Sequence, residues 1–232
     1  TGFFAKVGFI LTPVSGLRIG GAIQTPTVTT IEETWDLSAR TQFSDSGFNG
    51  ESESPYGENR YNLRSPMRAN LGAAYTFGRY GVISADYEMC NYGGMRFSGS
   101  SYDREYFEEV NADISERFGA AHSFRVGAEI KPLSSIAVRA GYNITDSAEK
   151  VNSWGESILP TYTQNASFGL GYSSKGSFYG DLAVRKTFVA DEFFMPYAVY
   201  IYDGNGNVSA PTPELRLQQS LWKVLLTFGW RF

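Results

Sequence analysis

The chain has a single cysteine, Cys90, and a single histidine, His122, among its 232 residues. One cysteine leaves no internal disulfide framework. One cysteine and one histidine provide no soft-ligand set for zinc or another transition metal, and nothing in the sequence asks for a cofactor. Long apolar runs are also missing. Unbroken hydrophobic stretches last only a few residues, which excludes a transmembrane helix. The mean hydropathy is −0.25, but that average is blind to a membrane β-barrel, which places its hydrophobicity in every second residue. No charge of one sign dominates: the net charge of −4 gives no footprint for nucleic acid. With 42% apolar and 19% charged residues, the chain is too hydrophobic for intrinsic disorder.

Aromatic residues and glycine are abundant. Aromatics make up 16%, with 15 Tyr and 17 Phe, beside 25 Gly. Aromatics favour strands, and glycine favours turns and bends. Nine segments alternate apolar and polar residues with a period of two, which marks a strand with two different faces. Phe124, Val126 and Ile130 alternate with Arg125, Gly127 and Glu129. Ile136, Val138 and Tyr142 alternate with Arg139 and Asn143, and Phe178, Leu182 and Val184 with Asp181 and Arg185. The last segment, WKVLLTFGWRF, sets Trp222, Val224, Leu226, Phe228, Trp230 and Phe232 against Lys223, Thr227 and Arg231.

The connections alternate in length. Residues 11–16, 77–80, 131–135 and 173–177 form tight turns rich in Gly, Pro and Ser. Roughly residues 26–60, 92–119, 146–163 and 189–216 form long ones. Each apolar face lasts about 9–11 residues, enough for a tilted strand to cross a bilayer. Aromatics gather by the short turns as an interfacial girdle would. The pattern predicts an all-β, transmembrane antiparallel β-barrel in the bacterial outer membrane, with long loops extracellular and the C-terminus periplasmic. The rival is a large soluble β-sandwich. Bacterial barrels use even strand numbers, whereas nine is odd. Thr1 is followed at once by strand-like sequence, at the end opposite Phe232. Residues 1–232 are therefore expected to be the C-terminal portion of one longer barrel, unless a long connection hides another strand.

Several stretches resemble the FadL-like outer-membrane transporters of hydrophobic compounds, particularly the forms found in Bacteroidetes. They are KVGFILTPVSGLRIGGAIQTPT (6–27), SPMRANLGAAYTFGRYGVISADYEMCNYGGMRF (65–97), FRVGAEIKPLSSIAVRAGYN (124–143), SFGLGY, FYGDLAV and LLTFGWRF. Together they cover about half the chain, and their order and spacing carry the match. The resemblance implies a fourteen-stranded barrel with an N-terminal plug; on that model this chain is expected to supply nine strands and to lack the plug and roughly the first five, so no binding residue is carried over. It implies passive uptake of long-chain fatty acids or other small hydrophobic compounds. The alternative is a FadL-like barrel acting as a secretion-system anchor or shuttle, or as a cell-surface docking protein. The expected partners are outer-membrane lipid and lipopolysaccharide, a small hydrophobic ligand, and the barrel-assembly machinery during biogenesis. A final strand ending on an aromatic resembles the signal that this machinery reads, which assigns the role to Phe228, Trp230 and Phe232.

The candidate site is a ladder of lumen-facing charges: Arg68, Asp86, Glu88, Arg125, Glu129, Arg139, Asp181 and Arg185. Such groups pair across antiparallel strands. They either stiffen and solvate the wall, or form a ligand path or plug contact. No enzymatic role is expected. His122 and Ser123 are adjacent on a predicted strand, so their side chains point to opposite faces and cannot act as a nucleophile and base.

Overall fold

A computed structural model describes all residues except 43, 45–48, 101–102, 152–156, 160, 175–176, 190–191, 195–200, 203–207, 211–214, 218 and 231–232. Nine strands form one sheet: β1 (Lys6–Val14), β2 (Leu17–Gln24), β3 (Met67–Phe77), β4 (Gly81–Asn91), β5 (Ala120–Leu133), β6 (Ile136–Asp146), β7 (Tyr162–Ser173), β8 (Phe178–Phe188) and β9 (Ser220–Trp230). They are the nine segments of period two. Each pairs antiparallel with its sequence neighbour, so spatial order equals chain order. Tight turns join alternate pairs, and Gly16 takes a φ of +87° in the first of them, a conformation that only glycine adopts without strain. An odd number of antiparallel strands makes β1 and β9 run in the same direction. An antiparallel ladder cannot join them to each other.

The strand pairing sorts the side chains onto two faces. Ile130, Val138, Leu170, Leu182 and Leu226 lie in one continuous row, as do Ala128, Ala140, Phe168, Val184 and Val224. Nothing among the described residues covers this face: Val7 is 77% exposed, Trp222 64% and Phe228 60%. The hydrophobic residues buried among the described ones are Cys90, Phe107, Ile114, Ala121 and Ala137, and no side chain is fully enclosed. A soluble sandwich would hide these rows in a core. Here they form an apolar surface far larger than a soluble monomer tolerates, as in a membrane barrel wall.

The long connections hold more structure than their sequences suggest. Val28–Trp35 and Gly57–Arg64 pair with each other, with Gly2–Phe3 and with Arg96–Ser98 in a second, four-stranded sheet. Its strand order repeats that of β1 to β4, so it continues the wall beyond their long-connection ends. Pro26 and Pro66, which lack an N–H, mark the break. Backbone bonds from Thr25 to Ala5 and from Ser65 to Thr27 carry the ladder past it. Among the described residues of 26–60, no tenth strand joins the main sheet. The 92–119 connection contains a helix, α1 (Arg104–Arg117). Its buried Phe107 stacks on Phe97, with ring centres 6.0 Å apart, and Tyr61 lies 5.9 Å from Phe107. Asn111 serves Phe97 as a strand partner would, accepting from its N–H at 2.7 Å and donating to its carbonyl at 2.8 Å. In this cap Tyr61 donates to Glu33, and that bond, before burial, holds the phenol above its usual pKa.

Candidate functional site on the polar face

The polar face is divided along its width. Over the middle of β1–β3 it is nearly bare. Gly8 pairs with Ala22, Ile10 with Gly20, and Gly72 lies beside Gly20, so backbone lines much of a trough of about 650 Å³ that Ile10, Asn70 and Asp86 also border. Arg18, next on the polar face of β2 toward the short turn, pairs in register with Ala74 and makes no ion pair among the described residues. At the other end, Lys6, Gln24, Arg68 and Glu88 line a smaller cavity of about 90 Å³.

Over β4–β8 the same face is crowded with charge, and the predicted ladder resolves into two separate clusters. In the first, Arg125 on β5 donates through Nη1 to Asp86 at 2.8 Å and through Nη2 to Glu88 at 3.2 Å, both on β4. In the second, Arg139 on β6 donates through Nε to Glu129 of β5 at 2.6 Å and through Nη1 to Asp181 of β8. Lys131 reaches Glu129 at 3.3 Å. Asp181 is therefore bridged from two strands away, over β7. The backbone allows it: a Cβ on Gly171 would stand 2.6 Å from Asp181 Oδ1 and 2.9 Å from Arg139 Nη1. Between the clusters the wall is side-chain-poor at Ser84, Gly127 and Gly141, which share one register row.

Nearer the long connections, neutral groups continue the network. Ser123 and Thr145 share a bond at 2.9 Å, Asn143 donates to Ser123, Asn165 to Asn143, and Thr187 to Asn165 at 2.7 Å. The remaining members of the predicted ladder are not brought into it. Arg68 and Arg185 make no ion pair among the described residues, and Arg185 lies directly opposite Lys223 of β9, a like-charge pairing. Sequence reasoning missed the role of Gly171, the amide ladder and the Arg185–Lys223 pairing. All three depend on register, although the glycines of SFGLGY were a visible signal that something crosses β7.

His122 and Ser123 do lie on opposite faces. His122 meets the Tyr87 hydroxyl at 2.6 Å on the apolar side, while Ser123 joins the polar network. Phe228 and Trp230 lie on the apolar face, where Phe178 packs 5.5 Å from Trp230 and 6.2 Å from Phe228. Arg231 and Phe232 fall outside the described residues.

A sheet of nine sequential antiparallel strands, bare and apolar on one face and charged on the other, has counterparts among solved structures. A FadL homologue of Pseudomonas aeruginosa superposes with a TM-score of 0.56 at 13% identity, over 98% of this chain and 50% of that one. The toluene transporter TodX of Pseudomonas putida gives 0.55 at 15%, over 100% and 50%. CymD, a monoaromatic hydrocarbon channel, gives 0.50 at 14%, over 80% and 46%. The chain has the fold of a FadL-like barrel wall. It spans about half the length of these three chains, and its nine-stranded sheet is not closed on itself. No family model and no curated protein sequence matches it. In a membrane barrel wall an apolar face is the lipid side and a charged face the lumen side.

Proposed function

We propose that the chain is the C-terminal portion of an outer-membrane channel for passive uptake of small hydrophobic compounds, long-chain fatty acids among them. The observation that carries this reading is the division of the lumen face. The trough over β1–β3 offers an apolar solute a backbone-lined path, and unpaired Arg18 at its short-turn end suits a carboxylate head. The paired clusters over β4–β8 leave no free acid among the described residues to repel that head. Closure needs an odd number of further strands, which fits five more and a total of fourteen. The long connections lie outside the cell, and Phe228, Trp230 and Phe232 serve assembly. The FadL homologue, TodX and CymD support a hydrophobic cargo.

Two experiments test the reading. Proteoliposomes holding the full protein should admit a toluene-sized solute or a fatty acid and exclude a disaccharide; equal passage of both would mean an open aqueous pore. In intact cells, an impermeant thiol reagent should label a cysteine placed at Ser52 and spare one at Ser134 until the outer membrane is opened. The reverse pattern would invert the topology.

A further inference from the structure

Charge is almost absent from the lipid face. Among its described positions on β1–β9, the ionic side chains are Asp146 and Lys186. Asp146 is satisfied within the wall, where its carboxylate accepts from the His122 backbone N–H, and His122 in turn meets Tyr87. Lys186 has no carboxylate partner among the described residues. Its ammonium donates to Ser220 and lies 4.9 Å from the Trp222 ring centre and 5.6 Å from that of Phe188. The aromatic faces help to desolvate the cation, and donor capacity remains on Nζ.

Depth decides what can meet it. Phe178 marks the short-turn end of β8, and Lys186 lies eight residues further along the strand. With a rise of roughly 3.3 Å per residue and a tilt of about 40°, that is about 20 Å up an apolar band about 25 Å tall. A lipid-facing lysine is costly at midplane and tolerated near an interface. Lys186 therefore sits at the boundary on the long-connection side, where the chain also places its lipid-face polar groups His122, Tyr87, Gln164 and Ser220.

We propose that Lys186 and Ser220, backed by Trp222 and Phe188, hold a phosphate of lipopolysaccharide in the outer leaflet. The assignment to that leaflet rests on the topology proposed above. A phosphate oxygen would accept from Nζ and from the Ser220 hydroxyl, and the two rings would lie against the first carbons of the lipid.

The test is thermal unfolding of the full protein in detergent, titrated with bis-phosphorylated lipid A, dephosphorylated lipid A or phosphatidylglycerol. Lipid A should stabilise the protein only when phosphorylated. Lys186→Gln should weaken that response roughly fivefold, the effect of one lysine at an anionic surface, while Lys223→Gln, one row away on the lumen face, should not. Equal responses of wild type and Lys186→Gln, or of both forms of lipid A, would overturn the site. Equal selectivity for phosphatidylglycerol would overturn its assignment to the outer leaflet. A variant keeping Trp222 as its only tryptophan, reconstituted in brominated lipid, separates the two levels of the proposal. If its fluorescence is not quenched, the membrane reading fails; if it is quenched while Lys186→Gln binds lipid A normally, only the headgroup site fails.

Discussion

The trough over β1–β3 and the charged wall over β4–β8 are built on one backbone plan, with the same pleat and the same kind of turns, yet they do opposite things with their lumen-facing positions. One side keeps its middle free of large side chains and leaves an open trough. The other fills the space with long side chains tied to each other. On the proposed reading the contrast separates two tasks: a mobile apolar solute needs a wall that offers it little to bind, and a wall without a hydrophobic core needs cross-strand ties. Changes that blur the division should separate transport from stability.

The largest effect should follow from filling the trough. Gly72→Leu sets a branched side chain where a Cβ already meets the Asp86 Cβ at 3.3 Å. It should reduce hydrophobic uptake in proteoliposomes to background, whereas Ser84→Leu in the charged half should leave most of it. Equal loss in both would erase the functional contrast. Next comes Arg125→Leu, which strands Asp86 and Glu88 with no other cation in contact among the described residues. The three side chains are 27–42% exposed, so the cost should fall near 2–3 kcal/mol, between about 1 kcal/mol for a screened pair and about 3–5 for a buried one. The shift of the denaturation midpoint in detergent measures it. Arg139→Leu should cost less, because Glu129 keeps Lys131. The smallest effect should come from the cap: Arg60→Ala breaks a pair with Glu32 whose side chains are 71% and 65% exposed, and should change stability by less than about 0.5 kcal/mol.

The wall was legible in the sequence because its pattern has a period of two and its faces differ in charge; every strand of the main sheet was found that way. The cap was not legible for the same reason. VTTIEETW and GENRYNLR carry too few apolar residues to alternate visibly, and α1 shows itself only through Phe107, Val110 and Ile114, a helical spacing inside a stretch read as a long connection. The candidate residues were legible as a face and not as partners. Glu129 and Arg139 lie opposite each other across a tight turn, so their pairing could be read from spacing. Arg139 and Asp181 lie 42 residues apart on strands that do not touch, and only the absent side chain at Gly171 brings them together.

That bridge over Gly171 also has a mechanical meaning. One guanidinium links β5, β6 and β8 while skipping β7, so sliding β6 by a register step tears both contacts at once, and sliding β5 or β8 tears one. Among the described residues β9 has no such staple beyond the single Lys186–Ser220 bond, and its Lys223 faces Arg185 across the seam. Under load applied from the C-terminal strand, the β8–β9 seam is the weak one and parts first, and the block from β5 to β8 then resists as a unit.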